Sequence, residues 1–156
     1  MRELVMPVIS GADARTRRLK LLRGACLVTL LAIAVQFGVG MILNFYGSPP
    51  SNTSSWLGEV ETAPAMLTVH ALIGLLLLVG AVLAVIQAIA VRYWPLIATA
   101  AVGFVALLGA FVAGEAFIKS GSDSESLTMA LLASVALLCF IVAHTIAHTT
   151  ARRTAG

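Results

Sequence analysis

Four uninterrupted apolar stretches, at about residues 25–46, 64–91, 95–118 and 127–150, decide most of what this chain can fold into. A helix rises 1.5 Å per residue, so about 20 residues cross a hydrocarbon core about 30 Å thick. Each stretch is long enough. The reading is therefore all-α: an integral membrane four-helix bundle, up-down-up-down. Composition agrees, with 11% charged residues, 60% hydrophobic residues and a mean hydropathy of +1.00. A soluble domain carries about 25% charge to coat its surface.

Little of the 156-residue chain is left for anything else. The expected organisation is a basic cytoplasmic segment at 1–24, a transmembrane domain at 25–150 and a cytoplasmic tail at 151–156. The first stretch exceeds the 7–15-residue core of a signal peptide, so it is read as a retained signal-anchor helix.

Orientation follows from where the bases sit. Arg2, Arg15, Arg17, Arg18, Lys20 and Arg23 precede the first stretch, Arg92 lies between the second and third, and Arg152 and Arg153 follow the fourth. Lys119 alone falls on the other side, where Glu59, Glu61, Asp123 and Glu125 lie. The positive-inside rule then places both termini in the cytoplasm. Because these charges flank spans, the net +3 reads as topogenic charge touching anionic lipid, with no nucleic-acid partner. Arg outnumbers Lys eight to two, a bias associated with GC-rich bacterial genomes, and the expected location is a bacterial plasma (inner) membrane. Cys26 and Cys139 both fall within spans, so no structural disulfide is expected.

The connections are short except the first, "GSPPSNTSSWLGEVETAP", which is long enough to fold over the bundle mouth with Trp56 at the interface. "RYWP" makes a tight turn between the second and third helices, with Tyr93 and Trp94 at aromatic-belt height. Small residues recur four apart: Gly80, Ala84 and Ala88; Ala106, Ala110 and Gly114; Ala143, Ala147 and Ala151. Such ladders let helix backbones approach in lipid. "HALIGLLLLVG" from His70 lines up with "MALLASVALLC" from Met129, an echo that would make helices 1–2 and 3–4 a parallel repeat.

Polar side chains within a span ask for partners, and ionisable ones mark functional sites by default. The candidates are Gln36, Asn44, His70, Gln87, Glu115, His144 and His148. Counting depth along each helix brings Asn44 and Met41, His70 and Met66, Glu115, and Met129 to one outer layer. A shared polar pocket is expected there. It admits a structural cluster pinning the helices, a metal centre, or a site for protons or a small polar molecule. The metal reading uses His70 and Met129, as axial ligands of haem b or as soft ligands of copper. His70 and His144 differ by roughly 18 Å in depth, which excludes a bis-histidine haem. His144 and His148 share a helix face and read as interfacial residues or as half a metal site. Gln36 and Gln87 are expected to bond across helix contacts. No nucleotide loop, serine–histidine–acid set or CxxC occurs, so no enzyme activity is expected.

The stretches "QFGVGMILNFY", "VHALIGLLLLVGAVLAV" and "GAFVAGEAFIKSGSDSESLTMALLASV" resemble an uncharacterised family of small four-span bacterial integral membrane proteins. The resemblance covers most of residues 25–150 and rests on His70 opening helix 2, Gly114 to Phe117 ending helix 3, and Ser126 to Ala130 starting helix 4. Glu115 departs from the small residue typical there, which speaks against a family-wide role for that carboxylate. A looser likeness is to half of a haem A synthase, whose second histidine would stand where this chain has Met129. The leading expectation is a non-enzymatic membrane protein with an outer-leaflet polar pocket, an accessory or assembly partner of a membrane complex. A haem- or copper-binding redox protein and a small proton or small-molecule conduit are the alternatives. A homo-oligomer or a larger complex would cover apolar surface that one copy leaves bare.

Overall fold

The computed structural model describes residues 11–46 and 65–153, with side chains described over 14–43 and 65–152. Those residues form four helices: α1 (Gly11–Tyr46), α2 (Ala65–Val91), α3 (Trp94–Ser120) and α4 (Asp123–Arg153). Each is long and apolar enough to cross a membrane. The chain is thus built as a multi-pass membrane protein. Helices adjacent in sequence pack together and α4 returns to α1, so the four close a ring, with α3–α4 the most extensive contact. The loop at 47–64, with Trp56, Glu59 and Glu61, lies outside the described residues.

The helices run past the apolar stretches at several ends, for local reasons. α1 takes in "ADARTRRLK", whose Arg, Lys, Leu and Ala are good helix formers. α4 begins at Asp123, and Asp123 and Glu125 in its first turn complement the positive end of the helix dipole. Ser122 supplies the carbonyl that accepts from Glu125 and Ser126. Between them, Gly121 closes α3 in the left-handed conformation (φ 64°), its N–H on the Phe117 carbonyl at 2.7 Å. At the opposite end α2 stops at Arg92, which takes the same left-handed region without being glycine (φ 56°). Pro95 stands in the first turn of α3, where its missing N–H is no loss. Arg18 of α1 donates from Nη1 to the Ala90 carbonyl at 3.1 Å, satisfying a terminal acceptor of α2.

The core is a thin seam of small residues. Ala81, Ala84, Ala88, Ala100, Ala136, Ala143 and Ala147 are fully buried, with Phe140, Leu19, Leu22, Leu96 and Cys26 as the large fillers. Both cysteines are free thiols. Leucines and valines such as Leu31, Leu76, Val105 and Leu138 point outward on all four helices. Such residues are stable only against an apolar surrounding, as lipid provides.

The two halves of the ring repeat each other. With one constant shift in numbering, the buried Leu22, Cys26, Thr29 and Ile33 of α1 correspond to Leu96, Ala100, Gly103 and Leu107 of α3, all buried. With another, Leu77, Ala81, Ala84 and Ala88 of α2 correspond to Ala136, Phe140, Ala143 and Ala147 of α4. The second shift is the one that aligns His70 with Met129. Contacts follow the same shifts. His70 packs on Gly40 as Met129 packs on Gly114, and Thr29 meets Gly80 as Cys139 meets Gly103, with the glycine on the other helix of the pair. The burial positions and glycine contacts of the first antiparallel helix pair thus recur in the second.

Candidate functional site

Gln36 and Gly40 stand one turn apart on α1, and His70 and Gly74 stand one turn apart on α2. Residues at that spacing share a helix face. Because the helices are antiparallel, each polar side chain meets the other helix's glycine. Gln36 Nε2 lies 3.4 Å from where a Cβ on Gly74 would stand, and His70 Cε1 lies 3.1 Å from the same point on Gly40. Both side chains therefore fit into notches that only glycine leaves. Gln36 Nε2 donates to the His70 backbone carbonyl at 2.8 Å, which fixes the amide. Phe111 of α3 reaches 4.0 Å from the Gly74 position and closes the far side.

Two atoms of this notch are left over. Gln36 Oε1 and His70 Nδ1 are buried and have no hydrogen-bond partner. Leaving a buried polar atom unpaired costs about 1–3 kcal/mol, so such atoms are uncommon and ask for an explanation. The amide oxygen is an acceptor. The ring nitrogen donates in one tautomer and offers a lone pair in the other. The two atoms thus offer an acceptor and, depending on the tautomer, a second acceptor or a donor.

The other expected members of the pocket are placed as follows. Met129 lies with Sδ 3.2 Å from where a Cβ on Gly114 would be, inside the α3–α4 contact. Glu115 is bound by Lys119 at 2.6 Å along α3, and both side chains are substantially exposed. Met41 and Met66 are exposed on α1 and α2. The backbone of Asn44 belongs to α1, while its side chain lies outside the described residues. His70 and Met129, the suggested ligands of haem b or copper, are thus each packed within a different helix pair. Among the described residues no three of His, Cys, Asp and Glu gather as a metal ion would need.

Gln36 is the residue the site needs and that depth counting alone leaves outside it. Depth ranks it mid-membrane, below the outer layer. The signal that points to it is the matched pattern of polar residue, three intervening residues and glycine, at Gln36–Gly40 and again at His70–Gly74. At the far end of the bundle His144 of α4 reaches α1, with Nδ1 3.2 Å from the Arg23 carbonyl oxygen. Comparison with family models, curated proteins and solved structures finds no match to this chain.

Proposed function

We propose that this chain is a non-enzymatic multi-pass protein of a bacterial plasma membrane, with both termini in the cytoplasm, acting as an accessory or assembly partner of a larger membrane complex. The observation carrying this reading is how the intramembrane polar groups are used. Gln36 is committed to the His70 carbonyl, and both side chains lie in glycine notches of a helix contact. That is how polar residues fasten helices, not how a nucleophile and a base are presented to a substrate. Orientation rests on charge. Arg15, Arg17, Arg18, Lys20, Arg23, Arg92 and Arg152 mark one end, against Glu115, Asp123 and Glu125 at the other.

The test is the mass of the protein extracted in mild detergent. An accessory subunit migrates well above its own 16.2 kDa after correction for detergent, in one defined assembly. A single-chain particle in every mild detergent would contradict the proposal.

A second reading is favoured by the unpartnered His70 Nδ1. A buried imidazole nitrogen with a free valence is available to a metal or to a transferred proton. Protein purified from haem- and copper-replete cells supports the redox form if it carries a Soret band or stoichiometric copper that His70→Ala abolishes. Colourless, metal-free protein removes it. Proton flux in liposomes that survives both Glu115→Gln and His70→Ala removes the conduit form.

A further inference from the structure

The end of the bundle that carries the basic residues holds an open cleft of about 240 Å³, lined by Lys20, Arg23, Gly24 and Leu27 of α1 and by His144 of α4. The α1 residues follow the helical repeat, so they form one face turned toward α4. Nothing lies within 4 Å of where a Cβ on Gly24 would stand, so the glycine keeps the floor of the cleft open. Among the described side chains the charge around it has one sign. His148 lies close enough to Arg23 and Arg152 to feel their fields. The described carboxylates, Glu115, Asp123 and Glu125, all stand at the other end of the molecule. Arg18, one turn from Leu22, is already engaged with the Ala90 carbonyl and takes no part.

Two groups in the cleft have hydrogen-bond donors unspent. Arg23 Nε is buried and has no partner. The Arg23 carbonyl can only accept, so His144 Nδ1 donates to it, and the imidazole ties α4 to α1 as one wall of the cleft. Lys20 is exposed at the rim. A guanidinium and an ammonium lining one cleft make a donor set suited to a phosphate oxyanion. A cleft lined by one sign of charge also concentrates the opposite ion.

The cleft turns apolar below its charged mouth. Leu27 lines it, and Val28 and Leu31 continue outward along α1 as exposed side chains. Trp94 and Tyr93, exposed at this same end, mark the level of a membrane–water interface. An oxyanion with a hydrocarbon tail matches this sequence of surfaces. We infer that Lys20 and Arg23 form a binding site for the phosphate of an anionic phospholipid, held between α1 and α4.

The test uses the full-length chain, delipidated in detergent, and counts bound lipid by native mass spectrometry during titration. Phosphatidylglycerol, phosphatidylcholine and inorganic phosphate are the three probes. Saturable binding of one phosphatidylglycerol per chain is expected, about tenfold or more tighter than phosphatidylcholine. Lys20→Gln with Arg23→Gln should remove that preference, and Arg23→Lys should restore part of it. The control double variant, Arg15→Gln with Arg17→Gln, loses the same formal charge outside the cleft and should keep the preference. If inorganic phosphate binds saturably and phosphatidylglycerol does not, the occupant is soluble phosphate and the lipid assignment is overturned. Equal binding of the two lipids, or equal losses in the two double variants, would overturn the site and leave general surface charge in its place.

Discussion

The imidazole of His70 rests on Gly40 of the neighbouring helix, its Cε1 3.1 Å from the position a side chain at residue 40 would have to occupy. The glycine is there to admit the ring. Gly40→Val should therefore lower stability in detergent by about 1–3 kcal/mol, the usual result of overfilling a packed contact. Gly38, two residues earlier, has nothing within 4 Å of its Cβ position. Gly38→Ala should raise stability by about 0.5–1 kcal/mol, because alanine is the better helix residue. Thermal unfolding followed by circular dichroism checks both, and the opposite signs are the diagnostic.

In the other helix pair Gly103 carries the corresponding load. A Cβ there would stand 3.1 Å from Phe140 Cε2 and 3.2 Å from Cys139 Cβ. Phe140 is fully buried and cannot swing away. Gly103→Ala should cost about 1–3 kcal/mol in spite of alanine's better propensity. An unchanged unfolding midpoint would mean that α3 and α4 stand further apart than described.

Arg92 holds a left-handed backbone (φ 56°) at the two-residue turn between α2 and α3. A non-glycine residue pays about 1–2 kcal/mol for that conformation. Arg92→Gly should be neutral to stabilising, by up to about 1 kcal/mol, the gain being trimmed by the freer unfolded chain. A large loss of stability would place a function on the guanidinium that the turn itself does not require.

Gln36→Leu is expected to change stability by less than about 1 kcal/mol. Interhelical hydrogen bonds in membranes are worth about 0.6 kcal/mol on average, and leucine keeps most of the volume. The substitution also removes Oε1, which is buried without a partner, and this offsets part of the lost bond to the His70 carbonyl. His70→Ala empties its place against Gly40 and should cost more, about 2 kcal/mol or above. Chemical denaturation of the two variants side by side measures the difference.

The four spans were legible in the sequence because apolar length is a strong signal and the polar breaks between them are sharp. Helix faces were not. Leucine, valine and alanine surround each helix almost evenly, so no apolar stripe marks which side packs. The alanine ladders told more: Ala84 with Ala88, Ala106 with Ala110, and Ala143 with Ala147 are all buried. The faint match of His70 to Met129 becomes a structural repeat once burial is compared, since identical side chains are few and what recurs is the packing position. Gln36 makes the bond across a helix contact that its polarity leads one to expect, but depth counted from helix ends leaves it outside the pocket, because the decisive relation is its register against Gly74. The meeting of Arg23 with His144 was equally hidden, because it depends on α4 returning beside α1, which no spacing within either helix reveals.

His70 and Met129 occupy equivalent places in the two halves and are packed within separate helix pairs. Disulfide trapping in native membranes tests that arrangement most directly, on a background with Cys26→Ala and Cys139→Ala. Cysteine pairs introduced at 40 with 70, and at 114 with 129, should both be joined by a short thiol-reactive linker, while a pair at 70 with 129 should not. Efficient joining of 70 with 129, with neither of the other pairs trapped, would contradict the paired-helix arrangement.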